Sequence, residues 1–153
     1  MKARGFAAAA ACVFLLSACK NEEFVQPRAS DPDFKSLEQF IYRLAARDPA
    51  SIRRYLSDTY LAKVNDEQLA QLARQLPPGR LVSTRVVAYR ALDPESPDGG
   101  GAITFELEFE DGWALVNASF SRGSKGTLVE NFQVQPTEES RAASRISLIP
   151  GPG

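Results

Sequence analysis

Apolar positions change their period once along this chain. Phe34, Leu37, Phe40, Ile41 and Leu44 fall at steps of three and four, one stripe of a helix predicted over about 32–47. Asp31-Pro32 in front of it supplies an N-cap and a proline at the first helical position. Asp48-Pro49 repeats that signal and predicts a shorter helix to about Leu56, burying Ile52, Tyr55 and Leu56. Asn65 caps a third predicted helix to about Leu76, with Glu67 and Gln68 near the capping-box position. Its stripe is Leu69, Leu72, Ala73 and Leu76, and Pro77-Pro78-Gly79 ends helical structure.

Beyond Gly79 the period falls to two. Arg80 to Asp93, rich in Val, Leu, Thr and Tyr, reads as a long strand, and Pro94 to Gly101 reads as a loop. Ile103, Phe105, Leu107 and Phe109 alternate with Thr104, Glu106, Glu108 and Glu110. Asp111-Gly112 is a two-residue hairpin signal. Centred there, the register opposes Phe109 to Ala114, Leu107 to Val116, Phe105 to Ala118 and Ile103 to Phe120, all apolar. The other face collects Glu108 with Leu115, Glu106 with Asn117 and Thr104 with Ser119. A slip by one residue would mix the two faces. Gly123 to Gly126 predicts a second turn and Thr127 to Gln135 a last strand, stopped by Pro136.

The N-terminus carries a different signal. Lys2 and Arg4 precede an almost unbroken apolar run from Gly5 to Ala18, the make-up of a secretory signal peptide. The run is short for a spanning helix, which needs about 20 such residues. It closes on Leu16-Ser17-Ala18-Cys19, which resembles the lipobox of bacterial lipoproteins. That resemblance implies cleavage between Ala18 and Cys19 and acylation of the Cys19 thiol, with the membrane as the first partner. Lys20 after the cysteine, where Asp would signal retention, implies the outer membrane, facing the periplasm. The polar stretch from Lys20 to Ser30 reads as a tether.

Composition then narrows the chemistry. Loss of residues 1–18 removes two of 18 basic side chains against 19 acidic ones, leaving a net charge of −3. Nothing in that balance points to nucleic acid. Cys12 leaves with the signal and Cys19 is modified, so no thiol remains for a disulfide, a nucleophile or a zinc site. The chain has no histidine, which rules out Ser-His-Asp, Cys-His and H-E-x-x-H arrangements. No metal or cofactor motif stands out, and no catalytic residue is assigned.

The segments LEQFIYRLAARDPASIRRYLS, DEQLAQLARQL and LVENFQVQP resemble those of small bacterial envelope proteins with the NTF2-like, cystatin-related α+β fold. That resemblance implies N-terminal helices packed on a curved antiparallel four-stranded sheet that closes into a cone. The expected organisation is a signal peptide at 1–18, a lipidated Cys19 and tether at 19–31, the domain at 32–136 and a disordered tail at 137–153. Ile146, Leu148 and Ile149 give that tail a means of docking. The fold does not fix a function.

Several residues are candidates for a site. Glu106, Glu108 and Glu110 lie on one strand face about 7 Å apart in steps of two, and read as a solvated face rather than a catalytic pair. Glu130 shares parity with the inward Leu128, Phe132 and Val134. It is either a buried carboxylate marking a pocket with Phe105, Trp113 and Tyr89, or the site of a β-bulge that turns Val129 inward and Glu130 outward. Tyr42, Tyr55 and Tyr60 are further aromatic candidates whose simpler role is packing. Gly99-Gly100-Gly101 reads as a flexible loop, and Arg43, Arg47, Arg53 and Arg54 as a solvated face. The leading expectation is a non-enzymatic envelope lipoprotein that binds another envelope component. The alternatives are a small-ligand pocket or minor enzyme inside the cone, and a structural subunit of an envelope assembly.

Overall fold

The computed structural model describes residues 31–92 and 99–140. The expected signal peptide, Cys19, the tether up to Ser30, most of the loop after Asp93 and the tail beyond Ser140 lie outside the described residues.

The helices start where their caps predict. Helix α1 (Pro32–Ala45) begins with the Asp31 carboxylate accepting from the Asp33 N–H at 2.9 Å. Helix α2 (Pro49–Arg53) is capped in the same way by Asp48, through the Ala50 N–H at 3.1 Å. The pattern gave no sign of α3 (Asp58–Leu61), a single turn whose cap is Ser57. In α4 (Asp66–Arg74), Asn65 and Gln68 exchange side chain-to-backbone bonds, both at 2.9 Å, and form a full capping box.

Four antiparallel strands follow: β1 (Leu81–Leu92), β2 (Gly100–Phe109), β3 (Gly112–Gly123) and β4 (Gly126–Thr137). Their spatial order is their chain order, so the sheet is an open, curled meander and the domain is α+β. One face takes the helices. Leu37, Phe40, Ile41 and Leu44 of α1 are buried with Ile103, Phe105, Leu107, Ala114, Val116, Phe132 and Val134. Phe40 meets Phe132 edge-on at 5.1 Å between ring centroids, and Tyr60 of α3 reaches the same ring at 5.7 Å.

The β2–β3 register corrects the expected one. Phe109 pairs with Gly112, Leu107 with Ala114, Phe105 with Val116 and Ile103 with Ala118, a slip of two residues that keeps every side chain on its predicted face. The turn residues are therefore Glu110 and Asp111. The cause lies outside the hairpin. The Glu110 N–H donates to the Arg80 carbonyl at 3.1 Å, and its carboxylate accepts from the Arg80 N–H at 2.8 Å and from its guanidinium. Gly112 sits at φ +151° against Pro77, where a Cβ would come within 3.2 Å of the ring.

Two further expectations are corrected. Pro136 does not stop β4: it pairs with Ala114, and the strand runs on to Thr137. An edge strand tolerates the missing N–H. Gly100 and Gly101 belong to β2 rather than to a loop. A Cβ on Gly101 would lie 2.3 Å from the Arg90 carbonyl and 2.8 Å from the Phe120 ring, so the glycine is there for close approach.

Arg47, expected on a solvated face, is a clamp instead. It takes φ +57°, a conformation usually left to Gly or Asn after a helix. Its guanidinium donates to the Pro77 carbonyl and lies 5.6 Å over the Phe109 ring. Arg47→Gly and Arg47→Ala both lose the clamp, but only alanine keeps a Cβ in the left-handed region. Urea denaturation is expected to find the alanine variant less stable than the glycine variant by about 1 kcal/mol; equal stabilities would mean that the backbone at 47 carries no strain.

Candidate functional site

One end of the sheet gathers α1's first turn, the C-terminal ends of β1 and β3 and the start of β4. Asp33, buried in that first turn, is the organising side chain. It accepts from Arg122 Nε on β3 and from the Thr127 hydroxyl on β4. Both partners come from the β3–β4 hairpin, so this ion pair fixes the helix against it. Asp33 holds the Arg122 guanidinium further above its ordinary range, through the hydrogen bond first and the charge after it. The Gly99 carbonyl receives the Arg122 N–H at 2.7 Å.

Aromatic rings line the same end. Tyr89 of β1 stacks on Phe120 of β3 at 6.2 Å and 11°, and Phe34 of α1 stacks on Phe105 at 6.4 Å. Partial burial pushes the Tyr89 phenol above its ordinary range, and the nearby Asp31 and Asp33 add to that, against an opposing effect of Arg122. Tyr89 therefore stays protonated near neutrality, a hydrogen-bonding group rather than a base. The cluster can hold a helix and present an aromatic wall. Its Arg122 guanidinium is committed to the Asp33 carboxylate.

The four residues expected to share a pocket are placed as follows. Phe105 is fully buried on the helix-bearing face, and Tyr89 lies on that face further along the sheet. Trp113, opposite Glu108 and Thr137, projects from the other face. Glu130 stands at a register break, since Ser119 pairs with Asn131 but Phe120 pairs with Val129. This is the β-bulge alternative. The extra residue puts Val129 and Phe132, which have opposite parity, into the same core. Glu130 is half-buried, and its carboxylate accepts from the Ser57 hydroxyl at 2.7 Å and from the Ser121 hydroxyl.

The acidic row on β2 departs from expectation at one position. Glu110 is exposed with Arg80, and Glu108 accepts from Ser83 at 2.7 Å, but Glu106 is only 2% exposed. Arg85 and Ser140 both bond its carboxylate. Its neighbour Leu115, on the same face, is also buried. Alternation told which face Glu106 is on, but it could not tell that something lies over that face. Sequence reading also missed Asp33 and Arg122. They are 89 positions apart, and the one available signal was an acidic residue inside a capped first turn.

Among the described residues no group of His, Cys, Asp and Glu is arranged to hold a metal ion, and no helix is long and apolar enough to cross a membrane. No protein-family model and no curated protein matches this chain.

The raised phenols give a pH signature. Burial also lifts Tyr60 above its usual value of 10.0. A phenol that ionises later in the folded state binds more protons there than in the unfolded one, so stability falls as pH rises through the unfolded value. Thermal melts are expected to show Tm dropping above pH 10, with Tyr60→Phe and Tyr89→Phe each flattening part of the drop. Identical slopes in the parent and both variants would contradict the assignment.

Proposed function

We propose that this chain is a lipid-anchored protein of the bacterial envelope, held by acylated Cys19 in the outer membrane and facing the periplasm. Its domain is an NTF2-like module that binds another envelope component and performs no chemistry. The observation that carries this reading is the apolar run closed by Leu16-Ser17-Ala18-Cys19 behind a basic start. Each buried methylene of an acyl chain contributes about 0.8 kcal/mol, so more than one chain gives a stable anchor.

Three features support the NTF2-like assignment. Helices come first, a four-stranded meander follows, and the first helix packs on one face of a curled sheet. The non-catalytic part draws on the occupation of the carboxylates. Asp33, Glu106 and Glu130 each hold two hydrogen-bond partners from other elements of the fold, which is structural work. A ligand pocket built on Glu130 has less in its favour, because that carboxylate joins β4 to the α3 cap and Trp113 lies on the other face.

The anchor is tested by Cys19→Ser in the native host. The variant is expected to keep its precursor mass and to leave the acylated membrane fraction, while the parent partitions with lipid. A variant with unchanged fractionation and N-terminal processing would overturn the anchor. Affinity capture with the lipidated parent then identifies the bound component.

A further inference from the structure

We propose that this chain covers the outer face of its own sheet, with the segment leaving β4 as a strap and Glu106 as the post that ties it down. β4 ends at Thr137, paired with Trp113 of β3. Three residues later, the Ser140 hydroxyl donates to Glu106 Oε1 on β2 at 2.9 Å and accepts from Arg85 Nη2 on β1 at 3.2 Å. In a sheet ordered β1-β2-β3-β4, the only route from β4 to β2 crosses β3. Two strand spacings make about 10 Å, and three residues of extended chain span about that distance.

The crossing is on the face away from the helices. Thr137, Trp113, Glu106 and Arg85 all alternate against the core residues of their strands and share that face. The β3 side chains beneath the path are Trp113 and Leu115. Leu115 is 2% exposed although it has no place in the helix-side core, and the Thr137 Oγ1 atom is shielded from solvent. The strap accounts for both.

Glu106 suits a post better than an apolar residue would. A carboxylate out of water must meet charge or hydrogen-bond donors, and those donors arrive from two directions, Arg85 from β1 and Ser140 from the strap. A leucine here would fill the space without fixing where the strap lies. A protein partner can reach the buried Leu115 only by displacing the strap. The strap is independent of the anchor, since it involves folded-domain residues alone.

Trp113 is the only tryptophan in the chain, so its fluorescence reports on this face alone. Acrylamide quenching is measured on the full chain and on Ser140→Ala, Glu106→Gln and Ser83→Ala, the last removing an outer-face bond that does not involve the strap. Ser140→Ala and Glu106→Gln are expected to raise the quenching constant at least about twofold by freeing the strap, with Ser83→Ala at the parent value. Ser140→Ala removes one exposed-side hydroxyl and decides the matter even where Glu106→Gln folds poorly. Parent-level quenching in a folded Ser140→Ala variant overturns the strap. So does quenching in the parent that grows on dilution, which would assign the cover to a second copy.

Discussion

One extra residue in β4 puts Val129 into the same core as Phe132, whose ring packs edge-on against Phe40 of α1. Phe132 and Val134 face the helices by strict alternation, whereas Val129 has the wrong parity to join them. The bulge at Glu130 resets the phase, so that Val129 and Phe132 are buried together under α1. It also brings the strand edge to the chain between α2 and α3. There the Ser57 N–H donates to the Val129 carbonyl at 2.9 Å and the Val129 N–H to the Tyr55 carbonyl at 2.8 Å. Ser57 then caps α3 and bonds Glu130 with the same hydroxyl. Without the bulge, Glu130 would take a core position and its burial would cost several kcal/mol unless it found a partner. The α3 turn and the closure of the β4 edge are therefore tied to a single inserted residue.

The charged groups divide by what surrounds them. Arg53–Asp66, Arg80–Glu110 and Lys125–Asp58 are exposed pairs, and such pairs are worth about 0–1 kcal/mol. Asp33–Arg122 and Glu106–Arg85 differ, because at least one carboxylate is out of water. Pairs of that kind add little net stability over an apolar substitute, but breaking one is costly. Their value here is positional. One sets the entry of α1 against the β3–β4 hairpin, and the other sets the exit of the chain from β4.

Most of the secondary structure was legible because its causes are local. Asp31-Pro32, Asp48-Pro49 and the Asn65 capping box announce their helices, and the parity of Glu130 offered a β-bulge as one of two readings, the one that β4 takes. The failures have non-local causes. The Asp111-Gly112 signal gave way to a turn at Glu110-Asp111 because Glu110 is bound by Arg80, 30 residues earlier. The α3 turn has no stripe of its own and exists because Ser57 is held by β4. Of the candidate site, Phe105 was placed on the correct face by alternation. Asp33 and Arg122 were invisible, since nothing in either local sequence names the other.

Sheet edges bear on how such a domain stays separate from its neighbours. An open edge offers unpaired backbone groups to any other strand. The β4 edge is met by Leu56 at Val129. The β1 edge is the longer exposure, with Val82 and Leu92 among the large apolar side chains that face solvent. It carries two register shifts, between Leu81 and Ser83 and between Val86 and Ala88, and two arginines, Arg85 and Arg90. Each shift turns the backbone out of line for an incoming strand. A β-branched strand of twelve residues is the segment of this chain best suited to aggregation, and it is also the one with the most interruptions. The irregularity of β1 is best read as protection of an edge.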